Sequence, residues 1–423
     1  MNRFLNIFKI PDLRKKVLMV LFWLLIFRLL AAIPIPGIDA AQLQKFLGSN
    51  QLFGFLNIFS GGGLSNLSVM MLGVGPYITA TIIMQLLTIV FPNLKKAYYE
   101  EGAAGQAKFN RISRFLTVPL AMLQSYGFLN LLASQGVIGH LPFMNLFANV
   151  MVISAGSVFL MWVGELISEY KIGNGVSLII FAGIVSQLPQ ELNTLLFNYN
   201  PAMLPTYIAF IVLAVIVIAG VVFVNEGERK IPVSYAKQVR GNKLYGGVNT
   251  YLPLRVNQAG VIPIIFAISL LLFPQFFAQA ASIISPAFSL KFNELVTGFF
   301  NNIPLYSLAY FILVVLFTYF YTAITFDPQE VSKNLQRSGG FVPGIRPGEA
   351  TAELIRKIMH RTTLFGALFL GCIAVLPNLT QIFTGIQALA IGGTALLIVV
   401  AVALEVMKQI ESQLTVREYE GIF

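Results

Sequence analysis

Apolar residues in this chain come in long unbroken runs, not in the alternating or helical stripes of a protein folded in water. Ten runs cover residues 17–33, 74–91, 115–133, 148–167, 176–189, 204–224, 258–277, 305–325, 362–377 and 385–406. About 20 apolar residues cross the hydrocarbon core of a bilayer as a helix. Each run therefore predicts a span, the fifth and ninth being short enough to be tilted or shielded. The pattern fails between the first two spans, where residues 60–76 read SGGGLSNLSVMMLGVGP. Residues 57–71 leave room for a helix of about 22 Å, short of the ~30 Å core. Irregular backbone at membrane depth is tolerated only where protein buries it or water surrounds it. Ser60, Gly61, Gly62, Gly63, Leu64, Ser65, Asn66 and Leu67 therefore predict a re-entrant half-helix, hinged by glycines, that fills a hole in the bundle like a plug. The fold class expected is an all-α polytopic membrane protein.

Composition leads the same way. Hydrophobic residues make up 57% of the chain and charged residues 11%, against about 25% charged in a soluble domain. The single cysteine, Cys372, excludes a disulfide within the chain, and its apolar neighbours predict a packed side chain. His140 and His360 lie too far apart in sequence to suggest a histidine-rich metal site. The first run follows Lys15-Lys16 and ends in IPIPG, without a small-residue cleavage pattern, so it reads as a retained span.

Charge fixes the orientation, because Lys and Arg accumulate in cytoplasmic loops. Basic residues crowd the N-terminal segment and the second-to-third, sixth-to-seventh and eighth-to-ninth connections, whereas the alternate connections hold only Lys45 and Lys291. Both termini are thus expected in the cytoplasm, and the net charge of +10 belongs to that side. Two cytoplasmic segments, 226–257 and 327–361, are long and mix basic residues with turn signals. The first predicts a hairpin about Gly241-Asn242 with IPVSYAK and KLYGGVNTYL as arms. Basic projections of this kind suit an acidic partner such as ribosomal RNA, or a soluble motor protein.

Ten spans divide into halves of five, 1–189 and 204–407, which places the second half upside down relative to the first; 408–423 is left as a cytosolic tail. GVGPYITA (73–80) aligns with GVIPIIFA (260–267), and IGNGVSLI (172–179) more weakly with IGGTALLI (391–398). Inverted repeats place the working site on the axis between the halves. Ion and proton pumps keep charged stations in their spans. Here only Arg28 is clearly internal, with Glu165 and Glu405 near cytoplasmic ends. In place of charges stand branched aliphatics: Val74 and Ile78 on one helical face, Val176 and Ile180 at the same spacing, and Ile265, the repeat mate of Ile78. A ring of such side chains resists wetting. Thr81 and Gln85 continue the Val74–Ile78 face toward the cytoplasm, which predicts a watery funnel above a greasy constriction. A secondary transporter for a small solute fits the broken helix and the repeats but not the lack of charge. The spans carry no His-Asp, Ser-Lys or paired-carboxylate arrangement for an enzyme, and GVG and GNG fall short of a nucleotide-binding motif. No cofactor is expected.

FRLLAAIPIPGIDA (27–40), FSGGGLSNLSVMMLGVGPYITATIIMQLL (59–87), FLMWVGELISEYKIGNGVSLIIFAGIVSQLP (159–189), LPLRVNQAGVIPIIFA (252–267) and SGGFVPGIRPGEAT (338–351) resemble, in order, blocks of the bacterial SecY family. The resemblance covers essentially the whole chain and implies a protein-conducting channel of the plasma membrane that passes unfolded secretory polypeptides and releases apolar segments sideways into lipid. It implies a pore ring of Val74, Ile78, Val176, Ile180, Ile265 and Ile398, slightly loosened by the two valines, with a plug at about 57–70. It places a lateral gate between the second and third spans and the seventh and eighth, with Gln85, Asn257 and Gln258 as polar lining. The docking loops would carry Lys230, Arg240, Lys243 and Arg346; a basic pair expected before Tyr245 is Asn242-Lys243 here. Implied partners are SecE-like and SecG-like membrane subunits, a SecA-like ATPase, the ribosome, signal peptides and nascent chains.

Overall fold

The structure, a computed structural model, describes residues 10–35, 57, 60, 62–64, 67–91, 94, 102–134, 136, 138–139, 142–197, 204–235, 238–240, 243–245, 249–280, 286–384 and 387–420. Among the described residues, ten helices overlap the ten apolar runs, and five of them are long and apolar enough to cross a membrane. The first half holds α1 (Pro11–Ala31), α2 (Gly75–Val90), α3 (Gly102–Ser134), α4 (Phe143–Glu169) and α5 (Gly175–Phe197). The second holds α6 (Leu204–Glu226), α7 (Ile262–Ala280), α9 (Ile303–Thr325), α11 (Glu349–Thr384) and α12 (Gln387–Glu420). Of the two runs expected to be short, the fifth stays short as an apolar segment, Gly175–Pro189, although α5 continues to 23 residues, whereas the ninth lies within the 36-residue α11. The segment expected as a separate tail continues α12 as far as Glu420.

Lipid as solvent explains the burial pattern. In α1, Leu13, Val20, Phe27 and Ala31 recur at helical spacing and are buried, while Leu18, Leu21, Phe22, Leu25 and Leu29 face outward. In water that outer face would demand cover; in hydrocarbon it needs none. Cys372 also faces outward, which corrects the packed position expected for it. Arg28 stacks its guanidinium over the ring of its neighbour Phe27, 5.9 Å from the centroid.

The two halves repeat one packing scheme. Helix contacts α2–α3, α3–α4, α4–α5, α1–α5 and α1–α4 in the first half recur as α7–α9, α9–α11, α11–α12, α6–α12 and α6–α11 in the second. A buried polar link joins the equivalent helices in each: Ser125 Oγ lies 3.2 Å from Ser154 Oγ between α3 and α4, and Asn378 donates to Ser307 at 3.0 Å between α11 and α9. The halves meet where α7 packs on α2 and α3, and where α5 packs on α12. One continuous hydrophobic core runs through both halves. The N-terminal end of α1 and the C-terminal part of α12 share a side of the molecule, since Leu13 packs with Leu414 and Lys16 donates to Gln413 at 3.1 Å.

The two long polar segments are built, not loose. β1 (Glu228–Tyr235) pairs antiparallel with β4 (Asn249–Arg255), and β2 (Gln238–Arg240) with β3 (Lys243–Tyr245), all in one register, so the hairpin arms pair as expected around the two residues 241–242. The sequence did not reveal β5 (Gly340–Phe341), which comes from the other long segment and adds to the far edge of β1. Helix α10 (Pro328–Arg337), capped by the Asp327 carboxylate on Gln329 N–H at 2.8 Å, packs on the extended base of α11. Ile231, Leu254, Val342 and Ile355 then form a small core of their own. Helix α8 (Pro286–Asn301) was also unforeseen. It turns Val296 inward and packs on α7 and α9, while Lys291 and Glu294 stay exposed, so it never forms a span-length apolar run.

Ile355→Ala should cost the polar segments about 2–5 kcal/mol of packing without unfolding the membrane bundle. Limited proteolysis should then cut within 226–257 and 327–361 sooner than in the parent; equal cutting rates would show the segments do not share this core.

Candidate pore constriction and plug

Three helix starts carry residues expected at the constriction. α2 begins at Gly75-Pro76 after a turn with Gly73 at φ +56°, and Val74, its N-cap residue, is fully buried. α5 begins after a tight turn in which Lys171 is left-handed at φ +56°. Asn174 Oδ1 caps α5 by accepting from Val176 N–H at 3.0 Å and Ser177 N–H at 3.3 Å, and Ser168 Oγ accepts from Gly175 N–H at 2.9 Å. Gly175 itself is required because a Cβ there would overlap the carbonyl oxygen of Gly164 on α4. α7 begins after Gly260 at φ +62°. These starts aim Ile78, Val176 and Ile265, from both halves, into one cavity of about 190 Å³.

The remaining ring residues, Val74, Ile180 and Ile398, are buried in the same core, at no more than 1% exposure. None of the six faces outward. Thr81, Gln85, Glu165, Ser168, Asn174 and Ser177 line the same cavity. A larger cavity of about 430 Å³ adjoins it through Ile262 and Tyr321 and is lined on the second half by Asn225, Arg255, Asn257, Gln258, Glu405 and Lys408.

The expected gate residues divide between these cavities. Gln85 lines the smaller one, and Gln258 and Asn257 the larger. Asn257 bonds within its own half, donating to Asn225 Oδ1 at 2.8 Å and Gly260 O at 3.1 Å. Gln85 Oε1 and Asn257 Oδ1 are both buried without a hydrogen-bond partner. Of the docking residues, Lys230 and Arg346 are exposed, and Arg240 and Lys243 are cross-strand partners at the end of the β2–β3 ladder.

The plug segment lies inside the bundle. Ser60, Leu64, Leu67, Ser68, Met70 and Met71 are each at most 2% exposed, and the apolar four join the main core. Gly61, Ser65 and Asn66 fall outside the described residues. Asn57 is helical, but the described residues from Ser60 to Val74 form turns in place of the half-helix expected, with an isolated bridge of Ser68 to Pro34. The serines are the reason. Ser60 Oγ accepts from Leu64 N–H at 3.0 Å; Ser68 Oγ donates to Gly63 O at 2.9 Å and accepts from Met70 N–H at 3.2 Å. Hydroxyls that bond nearby backbone compete with helical pairing, and Gly62 at φ +82° and Leu67 at φ +43° leave the helical region altogether. The segment is tied back to the end of α1 by Ile35 N–H to Leu67 O at 2.8 Å and Val69 N–H to Ile33 O at 3.1 Å. Gly156 on α4 lets the Val69 carbonyl pass at close range, a contact invisible in the sequence except as a glycine inside a span.

A family model for SecY matches residues 68–407. The chain belongs to the SecY family. It is 42% identical over its full length to the protein translocase subunit SecY of Mycobacterium tuberculosis, covering 99% of that protein. It is 43% identical to the Thermus thermophilus protein of the same name, covering 97% of it. Among solved structures, one described as a protein conducting channel matches with a TM-score of 0.66 at 21% identity, over 93% of this chain and 90% of that one. Sec61 in a canine ribosome-channel complex matches with a TM-score of 0.62 at 22% identity, over 93% and 90%. At that identity the likeness speaks for the fold, which is the family's.

Gly175→Val would push α5 off α4, at or beyond the ~1–3 kcal/mol typical of overpacking. A lower midpoint in thermal unfolding of the detergent-solubilised protein checks this; an unchanged midpoint would contradict the close crossing.

Proposed function

We propose that this chain is the pore-forming subunit of a protein translocase in the bacterial plasma membrane, both termini cytoplasmic, through which unfolded secretory polypeptides pass and from which apolar segments leave sideways into lipid. The observation that carries the proposal is the meeting of Ile78, Val176 and Ile265, from both halves, in one cavity that polar side chains also line. Branched aliphatic side chains make a gasket that yields to any passing sequence without selecting hydrogen bonds, and in the absence of a chain they leave a stretch too apolar to stay wet. The buried plug segment supports the same reading: it occupies the core as a separable piece, with its polar atoms largely satisfied by its own backbone.

The sideways exit lies where α7 meets α2 and α3, the helix contacts that join the halves on one side. Gln85, Asn257 and Gln258 offer polar groups near this seam for a signal peptide on its way out. The driving force comes from partners. Lys230 stands on β1 of the sheet to which β5 adds, Arg346 follows β5 in the chain, and Arg240 and Lys243 stand on the separate β2–β3 ribbon; basic residues so displayed suit ribosomal RNA or a SecA-like ATPase. The outward apolar faces of α1 and α6 suit lipid and SecE-like and SecG-like subunits.

Replacing Ile78, Ile180 and Ile265 together with serine should raise the resting ion conductance of the reconstituted channel severalfold, because a polar floor holds water. Conductance equal to that of the parent would remove the ring from the seal.

A further inference from the structure

Gln187 stands out as a polar residue on the inward stripe of α5. It follows Val176 by eleven positions and Ile180 by seven, which keeps all three within about one face of the helix. Its Oε1 accepts a hydrogen bond from Asn57 Nδ2 of the plug segment at 3.2 Å. Its Nε2 is buried without a hydrogen-bond partner and lies against Gly62, where an added Cβ would come within 2.7 Å of it. Gly62 is left-handed at φ +82°, so the backbone there favours glycine on conformational grounds as well. One amide side chain thus engages the plug segment at two points. The serine bonds of the segment travel with it when it moves, whereas this bond to α5 has to break.

We propose that Gln187, Asn57 and Gly62 form a latch that sets how readily the plug segment leaves, making Gln187 a specificity-determining residue: it fixes how strongly apolar a signal segment must be to open the channel. The latch rests on the channel reading above and deepens it. A hydrogen bond shielded from water is stronger than one in water, and departure of the segment breaks the one that joins Gln187 to Asn57. A weakly apolar signal gains too little at the gate to offset that loss.

The test uses the complete reconstituted channel with Q187L, N57A, the double variant N57A/Q187L and G62A. Two quantities are read: resting conductance, and movement of a precursor whose signal has a shortened apolar core, beside the full-length precursor. Each single variant should raise conductance and transport of the shortened precursor severalfold. The double variant should add nothing, since both changes remove one bond, and G62A should mimic Q187L by displacing the amide. If Q187L fails to assemble, Q187N, which keeps the amide but falls short of Asn57, replaces it. Unchanged conductance and threshold in the single variants, or effects that sum in the double, would overturn the latch. Failure of the channel reading looks different: the parent itself would then not move the full-length precursor.

Discussion

In hydrocarbon a peptide N–H or C=O without a partner costs several kcal/mol, and this structure is organised around the one place where that rule is under strain. Between α1 and α2 the chain abandons the helix inside the bundle, and turns replace the regular ladder. The donors and acceptors released there are met locally, by the Ser60 and Ser68 hydroxyls and by exchange with the end of α1. The surrounding helices supply mostly shape and apolar contact. The segment is therefore tightly seated without being part of the walls.

That separation gives the waist its character. A channel that held its closed state by charge pairs would need charged stations at the midplane, and such groups would also attract ions when open. Here the ion pairs Arg114–Glu165, at 2.6 Å, and Lys408–Glu226, at 3.0 Å, involve residues at helix ends or partly exposed. The interior carries Val74, Ile78, Ile180, Ile265 and Ile398. On the proposed reading, closure depends on packing and dewetting, both of which a passing polypeptide displaces side chain by side chain. The two adjoining cavities are lined in part by amides, hydroxyls and a few charges, a lining that suits the proposed wet approach to the waist.

Much of this was legible in the sequence, for reasons that differ by element. Spans are readable because a bilayer imposes one length on them, and the β1–β4 ribbon because Gly-Asn marks its turn. Helix α8 escaped because its apolar residues occupy one face only, and β5 because nothing local announces a pairing across about a hundred residues. The plug was legible as irregular but not as a run of turns, since whether a serine caps, kinks or decorates a helix depends on where its hydroxyl points. Ile78, Val176 and Ile265 followed from helical spacing and the repeat; Ile398 came only from the family resemblance. Gly156, Gly164 and Gly175 could be read as small residues in spans, but not as the two places where backbones touch, Gly156 against Val69 and Gly175 against Gly164. Gln187 gave no signal, because a single amide in an apolar helix does not name its partner.

The central claim is that an unfolded chain crosses the molecule through the ring of branched aliphatics and touches it on the way. A photo-crosslinking residue at position 78, with a secretory precursor stalled midway through the reconstituted channel, tests this most directly. Covalent capture of the precursor, lost when the precursor is absent or released, is the expected result. Labelling confined to lipid or to neighbouring helices, with the precursor demonstrably stalled, would contradict it.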